Sequence, residues 1–335
     1  MGMENKQLTL MDAVLGFSHR LKVSKAVGTL NEIDSQVDWR VLAEIVSVLD
    51  KSGTRRGGRP PIGFEIKLKM MFLQYLYNLS DEELEDQVID RMSFQKFVGL
   101  SYNEEVPDFT TIWKFKEALT KAGLMDSIFK AILSQLEAKG LIVRKGTMID
   151  AIIIQSGNRP LSNKKREELE AEPSPQIDTE ARSTAKNGKK HFGYKGHIGV
   201  DVESKIIRKR SFTPANVHDS QEMQNLMSGD EQSVWADKAY PKEADKRIAR
   251  KLGIYYGILD KAKRGHGLSQ KQKKLNKKKS KVRAAVEHPF GFMRKKLKVT
   301  VLSAKNRARN ALRFDMWCII HNLCRAAFLL KPKLA

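Results

Sequence analysis

The sequence is poor in the features that mark secreted proteins. It holds only two cysteines, Cys318 and Cys324. They lie six residues apart on a predicted helix, which is neither a zinc-binding spacing nor a disulfide framework. The first residues also lack the apolar core of a signal peptide. Both absences favour the reducing interior of a cell.

Long hydrophobic runs are absent as well. The most apolar C-terminal stretch, residues 312–330, is interrupted by Arg313, Asp315, His321 and Arg325. A membrane span requires about 20 predominantly apolar residues. The stretch is therefore predicted to be a buried helix of a globular protein.

Acidic residues are too few to balance the basic ones, with 39 Asp and Glu against 61 Lys and Arg. Residues 261–300 hold fifteen Lys or Arg and a single acid, Glu287, so this window carries +14 of the +22 net charge. Such concentrated positive charge indicates a nucleic-acid partner. An anionic membrane surface is the alternative, but no amphipathic anchor or lipidation signal supports it.

The chain is long enough for two domains, and its first part has helical periodicity. Apolar residues from Leu68 to Leu79 form one stripe, and Ser80 with Glu83 has the spacing of a capping box. Asp108 opens another helix, and Gly123 ends it. These patterns predict an all-helical DNA-binding or assembly domain over residues 1–140, in which the apolar stripes form the core rather than a cofactor site.

Two polar segments interrupt these patterns. The Gly- and Arg-rich segment 53–61 is interpreted equally well as a solvated linker or as a contact to the DNA backbone. Residues 156–190 are predicted to be a mobile surface insertion.

The periodicity changes after Gly140. The β-branched run 147–154 is typical of a buried strand, and it contains Asp150, a carboxylate that needs a partner, a proton or a metal ion. A hairpin over 191–212, a strand ending at Asp237 and an apolar strand at 254–259 follow. This order resembles a ribonuclease-H-like fold, so residues 141–335 are predicted to form an α/β domain with a mixed five-stranded sheet and helices.

Three acidic residues are candidates for one site. Ligands of open α/β sheets bind at the carboxyl ends of strands, where Asp150 and Asp237 are expected to meet. Glu287 would join them from a helix packed across the sheet. Three adjacent carboxylates repel one another, and divalent cations such as Mg²⁺ remove that repulsion. Two ions roughly 4 Å apart would hold the attacking and leaving oxygens of a phosphodiester in line.

The spacing of charged residues around Glu287 provides a check on this prediction. Arg283 lies four residues before it and Arg294 seven after it, so an unbroken helix would place all three on one face. An Arg283–Glu287 surface pair, contributing only a few tenths of a kcal/mol, is the alternative. Pro289 is expected to kink or restart this helix just past Glu287.

Short strings along the chain together resemble bacterial insertion-sequence transposases of the DDE type, in the broad insertion sequence 5 group. They occur in the order Gly58-Arg59-Pro60-Pro61, Tyr75-Leu76-Tyr77-Asn78-Leu79-Ser80-Asp81, Phe97-Val98-Gly99-Leu100, Pro107-Asp108-Phe109-Thr110-Thr111, Ile149-Asp150-Ala151, Phe192-Gly193-Tyr194-Lys195-Gly196-His197, Ala215-Asn216-Val217-His218-Asp219, Ala236-Asp237-Lys238-Ala239-Tyr240 and Arg283-Ala284-Ala285-Val286-Glu287. The resemblance spans about residues 30–330.

The resemblance implies that Asp150, Asp237 and Glu287 are the catalytic triad that binds two Mg²⁺ or Mn²⁺ ions. In related elements the glutamate stands in a pattern of Tyr, two residues, Arg, three residues, Glu, six residues and Lys. Here Ser280 replaces the tyrosine and Arg294 replaces the lysine. The DNA contacts are expected at Arg283, Arg294, Lys295, Lys296, Lys298, Lys277, Lys278 and Lys279, and the residues supporting the site from behind at His218, Asp219 and Tyr240.

The implied function is transposition. The protein would bind the terminal inverted repeats of its element, cleave 3′ ends with water and join them to target DNA, as a dimer or larger assembly near the bacterial nucleoid in the cytoplasm. The alternatives are a nuclease of the same fold that only hydrolyses DNA, and a DNA-binding protein whose catalytic site has decayed.

Overall fold

The structure is a computed structural model that describes residues 25–50, 62–101, 104–172, 174, 177–186, 188–240, 243–262, 265–299, 301–302 and 304–331. The basic segment 53–61, for which the sequence left two interpretations open, lies outside these residues.

Within the described residues, seven helices form the N-terminal region, which the periodicity predicted to be all-helical. They are α1 (Lys25–Asp34), α2 (Trp39–Val46), α3 (Phe64–Tyr77), α4 (Asp81–Asp90), α5 (Met92–Val98), α6 (Phe109–Ala122) and α7 (Met125–Ala138).

The predicted helix ends are largely confirmed. The Ser80 hydroxyl accepts from the Glu83 amide at 3.1 Å, and the Glu83 carboxylate accepts from the Ser80 amide at 2.7 Å, which completes the capping box before α4. Asp108 caps α6, and Gly123 ends it in a left-handed conformation with φ of 65°. Helix α5 begins at Met92 with Arg91 at its N-cap position, and no side chain caps it.

The second half of the chain folds around a mixed sheet, in which the described residues form seven strands. These are β1 (Thr147–Ser156), β2 (Arg182–Lys186), β3 (Lys189–Asp201), β4 (Ile207–Pro214), β5 (Ser233–Trp235), β6 (Tyr255–Tyr256) and β7 (Val301–Leu302). β1 pairs antiparallel with β3, and β3 pairs antiparallel with β4. On the other side of β1, β5 and β6 follow in parallel.

Five of these strands, in the spatial order β4-β3-β1-β5-β6, are those expected from the sequence. The expected total of five was wrong, because β2 pairs with β3 and β7 pairs with the end of β1. The strand expected over 254–259 is shorter than predicted and spans only Tyr255–Tyr256, although the Gly257 and Leu259 amides still donate to the Val234 and Ala236 carbonyls.

The insertion after β1 has its own ordered elements. It contains helix α8 (Asn163–Ala171) and β2, and it is attached to the sheet through Asp178, which is 2% exposed. The Asp178 carboxylate accepts from the Tyr194 hydroxyl at 2.7 Å and from the amides of Glu180 and Ala181. That residues 156–190 are mobile stays a prediction.

The remaining helices are α9 (Met223–Leu226), α10 (Glu243–Lys251), α11 (Gln270–Arg283), α12 (Glu287–Lys295) and α13 (Arg307–Leu329). Helix α13 is the buried helix that the sequence predicted over residues 312–330. No helix within the described ranges is both long and apolar enough to span a bilayer.

Helix α13 packs closely on the sheet. A side chain at Gly196 of β3 would come within 2.2 Å of the Phe314 ring, so this contact requires glycine. The same helix packs against α1, α3, α6 and α7. Buried side chains from both halves therefore form one continuous cluster, and the division into domains 1–140 and 141–335 stays a prediction.

Candidate active site

The candidate site lies along β1. β5 pairs with the start of this strand at Thr147 and Met148, and β7 pairs with its end at Gln155 and Ser156. A cleft of about 440 Å³ opens along the segment between them. Its lining residues are Asp150, Ala151, Ile152, Ile153, Ile154, Gln155, Lys186, His191, Asp237, Arg283, Glu287, Phe290, Arg294 and Val299.

The parallel pairing of β1 and β5 brings two of the predicted carboxylates together. Met148 is the register partner of Trp235, and Asp150 and Asp237 each follow two residues later. They therefore lie at the same level on neighbouring chains, at the carboxyl end of β5, where ligand sites of open α/β sheets form. This is the meeting point that the sequence predicted.

Glu287 reaches the same cleft through a break in the helix. Helix α11 ends at Arg283, a 3₁₀ turn over Ala284–Val286 packs on β1, and α12 begins at Glu287. The assumption of an unbroken helix was wrong. Pro289 lies in the first turn of α12, where its missing amide costs no hydrogen bond, so it is compatible with a restart at Glu287.

The two arginines of the cleft each pair with a carboxylate. Arg283 Nη1 lies 3.0 Å from Asp150 Oδ2, and Arg294 Nη2 lies 3.4 Å from Glu287 Oε2. The Arg283–Glu287 surface pair, the alternative raised by the sequence, is replaced by this arrangement because the 3₁₀ turn changes the helical phase between the two residues.

Asp150 is held in an environment that disfavours its charge. Its side chain is 18% exposed, and its Oδ1 accepts from the Ala151 amide at 2.9 Å. Burial raises the pKa of Asp150 to about 6, with the negative charge of Glu287 adding to the effect and Arg283 opposing it. The carboxyl group thus lacks enough positive charge around it to be fully stabilised as an anion.

Tyr240 lies behind the carboxylates. It is 1% exposed, and its hydroxyl has no hydrogen-bond partner among the described residues. Burial raises the pKa of the Tyr240 phenol well above its usual value, with further contributions from Asp219, Asp150 and Asp237. The phenol therefore stays protonated and is available as a hydrogen-bond donor.

Asp219 and His218 make contacts that the sequence did not predict. Asp219 Oδ1 accepts from Lys195 Nζ at 2.8 Å, so the two half-buried side chains form an ion pair. His218 caps the 3₁₀ turn Asp219–Gln221, and its Nδ1 accepts from the Ser220 amide. Neither His218 nor Asp219 is among the residues that line the cleft.

The eight predicted DNA contacts fall into three groups. Arg283 and Arg294 line the cleft. Lys279 is buried, and its ammonium donates to the Ile258 carbonyl at 2.7 Å and to Asp260 at 3.2 Å. Lys279 therefore holds α11 against the sheet, which corrects its predicted role. The exposed remainder are Lys277, Lys278, Lys295, Lys296 and Lys298.

Sequence reasoning missed two basic residues of the cleft, Lys186 and His191. Both come from the insertion and the start of β3, far from the basic window. Lys186 lowers the pKa of Asp150 through its charge, and His191 Nδ1 lies 3.5 Å from Gln155 Nε2. The alternation of polar and apolar residues along β3 could have indicated His191, because it places the polar side chains together on one face of the strand.

The cleft offers hard oxygen ligands, which suit Mg²⁺ or Mn²⁺. Asp150, Asp237 and Glu287 all line the cleft and can offer carboxylate oxygens, so the donor set fits divalent cations. Within the described ranges, no three His, Cys, Asp or Glu side chains are close enough to enclose an ion in this arrangement.

Fold and cleft together define a class: an α/β domain with acidic residues at the strand ends, preceded by a helical region. Two family models match the chain. The model described as "Transposase domain (DUF772)" matches residues 19–118, and the model described as "Transposase DDE domain" matches residues 144–323. The second match covers 180 of the 335 residues, and the chain belongs to the DDE transposase family, whose members are DNA transposases with a ribonuclease-H-like catalytic domain.

Among solved structures, the chain is similar to "Cryo-EM structure of piggyBac transposase synaptic complex with hairpin DNA (SNHP)". The two are 10% identical with a TM-score of 0.42, and the match covers 87% of this chain and 71% of that chain. A similarity of this size defines neither fold nor function.

Proposed function

We propose that this enzyme is the transposase of an insertion sequence of the broad insertion sequence 5 group. It binds the terminal inverted repeats of its element, cleaves DNA 3′ ends with water and joins those ends to target DNA. The observation that carries this proposal is that Asp150, Asp237 and Glu287, far apart in sequence, line one cleft with Arg283 and Arg294.

The three carboxylates are the proposed ligands of two Mg²⁺ or Mn²⁺ ions. Bound there, divalent cations supply Lewis acidity for in-line displacement at a phosphodiester. Asp150 and Asp237 are fixed by the strands, and Glu287 by the start of α12, where an acid is favoured by the helix dipole. Tyr240 is the proposed donor that orients a carboxylate from behind once that carboxylate is charged.

The exposed cations bind the DNA backbone. Arg294 borders the cleft and is 55% exposed, so it can leave Glu287 for a phosphate at little cost. Lys295, Lys296 and Lys298 extend this basic surface, and Lys277 and Lys278 form its second part on α11. Binding through such contacts weakens steeply with salt.

Transposition requires two DNA ends to be brought together, so we also propose a homodimer or larger assembly on DNA. The helical region contributes to this assembly and to recognition of the repeats. The expected location is the bacterial cytoplasm, in association with the nucleoid.

The test uses linear DNA that carries the ends of the element, together with a supercoiled target plasmid and Mg²⁺ or Mn²⁺. The wild-type protein is expected to produce both cleaved ends and joined products. Asp150→Asn and Glu287→Gln are expected to abolish both while retaining DNA binding in a gel-shift assay. The matched control is Glu203→Gln, an exposed carboxylate outside the cleft that pairs loosely with Lys145 at 3.5 Å, and it should behave as wild type.

Two other outcomes would replace the proposal. Cleaved ends without joined products would indicate a nuclease of the same fold. DNA binding without any cleavage by the wild-type protein would indicate a DNA-binding protein with a decayed site. Cleavage that persists in Asp150→Asn would show that the assignment of the catalytic residues is wrong.

A further inference from the structure

The Arg283 guanidinium lies between the Asp150 carboxylate and the cleft. One Asp150 oxygen, Oδ1, is already used by the Ala151 amide at 2.9 Å, and the other, Oδ2, lies 3.0 Å from Arg283 Nη1. The side chains of Asp150 and Arg283 are 18% and 23% exposed. The Asp150 oxygen that the backbone does not use is therefore paired with a cationic side chain of the protein itself.

The contact between them is poorly formed compared with other pairs in this chain. Arg309 binds Glu117 through two N–H groups, at 2.6 and 2.9 Å. Arg283 uses a single N–H group, and its Nε is buried without a partner in the part of the chain that the structure describes. A buried, unsatisfied N–H costs free energy, so this geometry is not the one a permanent structural bridge would adopt.

The surroundings of Arg283 allow its guanidinium to move while its backbone stays fixed. Helix α11 is attached to the sheet by Lys279, and by Asn276, which bonds the backbone of Asp260 in both directions. Arg283 is the last residue of that helix, and its long side chain ends in the open cleft beside the other two carboxylates.

We propose that Arg283 is a placeholder for a divalent cation and a positioning residue for Asp150. In the cation-free protein its guanidinium holds the Asp150 carboxylate in place. A bound cation displaces the guanidinium, which is then free to bind a DNA phosphate. This inference rests on the proposed metal-binding role of the three carboxylates.

The proposal has a consequence that is measurable without DNA and without catalysis. A divalent cation that binds Asp150 must break the Arg283 contact, so removing the guanidinium should tighten cation binding. Loss of any positive charge near the cleft also favours a cation, through Coulomb's law alone. Arg294→Gln removes the same charge from the same cleft but leaves Asp150 paired, and it is therefore the matched control.

The experiment measures Mn²⁺ binding to the full-length, DNA-free protein by electron paramagnetic resonance of the free ion. Arg283→Gln is expected to bind Mn²⁺ about tenfold more tightly than wild type, the factor that corresponds to roughly 1.4 kcal/mol. Arg294→Gln should show a clearly smaller gain. Arg283→Lys, which keeps a cation but loses the planar guanidinium, should fall between wild type and Arg283→Gln.

Thermal unfolding provides a second readout. With chelator present, Arg283→Gln should melt below wild type, because Asp150 loses its partner. Saturating Mn²⁺ should then raise its melting temperature by more than it raises that of wild type. An affinity equal to that of Arg294→Gln, or weaker than that of wild type, would overturn the placeholder role.

Failure of this inference is distinguishable from failure of the proposed function. Asp150→Asn, Asp237→Asn and Glu287→Gln should each lose Mn²⁺ binding if the three carboxylates form the site. If they do, and Arg283→Gln shows no gain, only the placeholder role is wrong. If none of them changes Mn²⁺ binding, the proposed metal site is wrong, and the placeholder role is wrong with it.

Discussion

Two aspartates on the same pair of strands have opposite surroundings. Asp201 ends β3 opposite Thr147, three register positions from the pair formed by Asp150 and Ile198. Asp201 is fully buried, and its carboxylate accepts from the amides of Arg144, Glu203 and Ser204 and from the Ser204 hydroxyl, at 2.8 to 3.0 Å. Asp150, less deeply buried, has one amide and one guanidinium N–H among the described residues.

The difference separates a structural carboxylate from one that is proposed to be catalytic. Four donors offset the cost of burying the charge of Asp201, and they fix the turn between β3 and β4. Asp150 keeps an oxygen directed at the cleft, and burial raises its pKa to about 6 because too few donors oppose the loss of solvation. Burial alone does not distinguish the two aspartates, whereas the number of unfilled acceptor positions does.

The largest expected effect on stability is at Asp201. Asp201→Asn places an NH₂ group against one of the donors and should lower the free energy of unfolding by about 1–3 kcal/mol. Asp150→Asn should be at least as stable as wild type at pH 7.5 with chelator present, since it removes a charge that burial disfavours. Denaturant titration of both variants measures the difference, and an equal loss of stability in both would contradict the comparison.

A buried base extends the comparison to acidic pH. His321 in α13 is 1% exposed; its Nε2 lies 2.9 Å from the Lys205 carbonyl, and its Nδ1 has no partner in the described part of the chain. Burial lowers the pKa of His321 to about 4. The unfolded chain therefore binds a proton on this residue at a higher pH than the folded protein does.

The folded protein should accordingly lose stability as the pH falls from about 6.5 to about 4, by up to about 3 kcal/mol from this residue. His321→Gln, which keeps a donor for the Lys205 carbonyl, should lose less stability over the same range. Unfolding free energies at pH 7 and pH 4.5 test this, with the exposed His266→Gln as control. A pH dependence in His321→Gln as steep as that of wild type would refute it.

The last comparison concerns two neighbouring lysines of α11, of which Lys278 should show the smallest effect on stability. Lys279→Ala should lower stability by about 1–3 kcal/mol, because the Ile258 carbonyl loses its donor. Lys278→Ala should leave stability within about 0.5 kcal/mol of wild type. It should instead reduce the slope of the logarithm of DNA affinity against the logarithm of salt concentration by about 1. Reversed effects would show that the two lysines have been assigned the wrong way round.

Local signals predicted much of this fold. The capping box at Ser80 and the left-handed end of α6 at Gly123 were both predictable from the sequence, because each depends on residues within one turn of helix. The predicted bounds of the short strands were less accurate. β6 pairs at two residues rather than six, since its length depends on where β5 stops and not on its own apolar side chains.

Lys279 shows the same limit within the candidate site. In the sequence it is one of three consecutive lysines and cannot be distinguished from Lys278. The phase of α11 against the sheet directs one ammonium into a buried position and leaves the other in solvent. Likewise, the pairing of Arg283 with Asp150 depends on a 3₁₀ turn that the sequence did not reveal.

The sequence by itself determined the family, most of the helices and five of the strands, and the three acidic candidates with their basic surroundings, because residue type and spacing encode local structure and net charge. Only the tertiary structure decided which charges meet. Those pairings join residues as far apart as Asp150 and Arg283, and they depend on strand register and helix phase, which arise only when distant segments pack against one another.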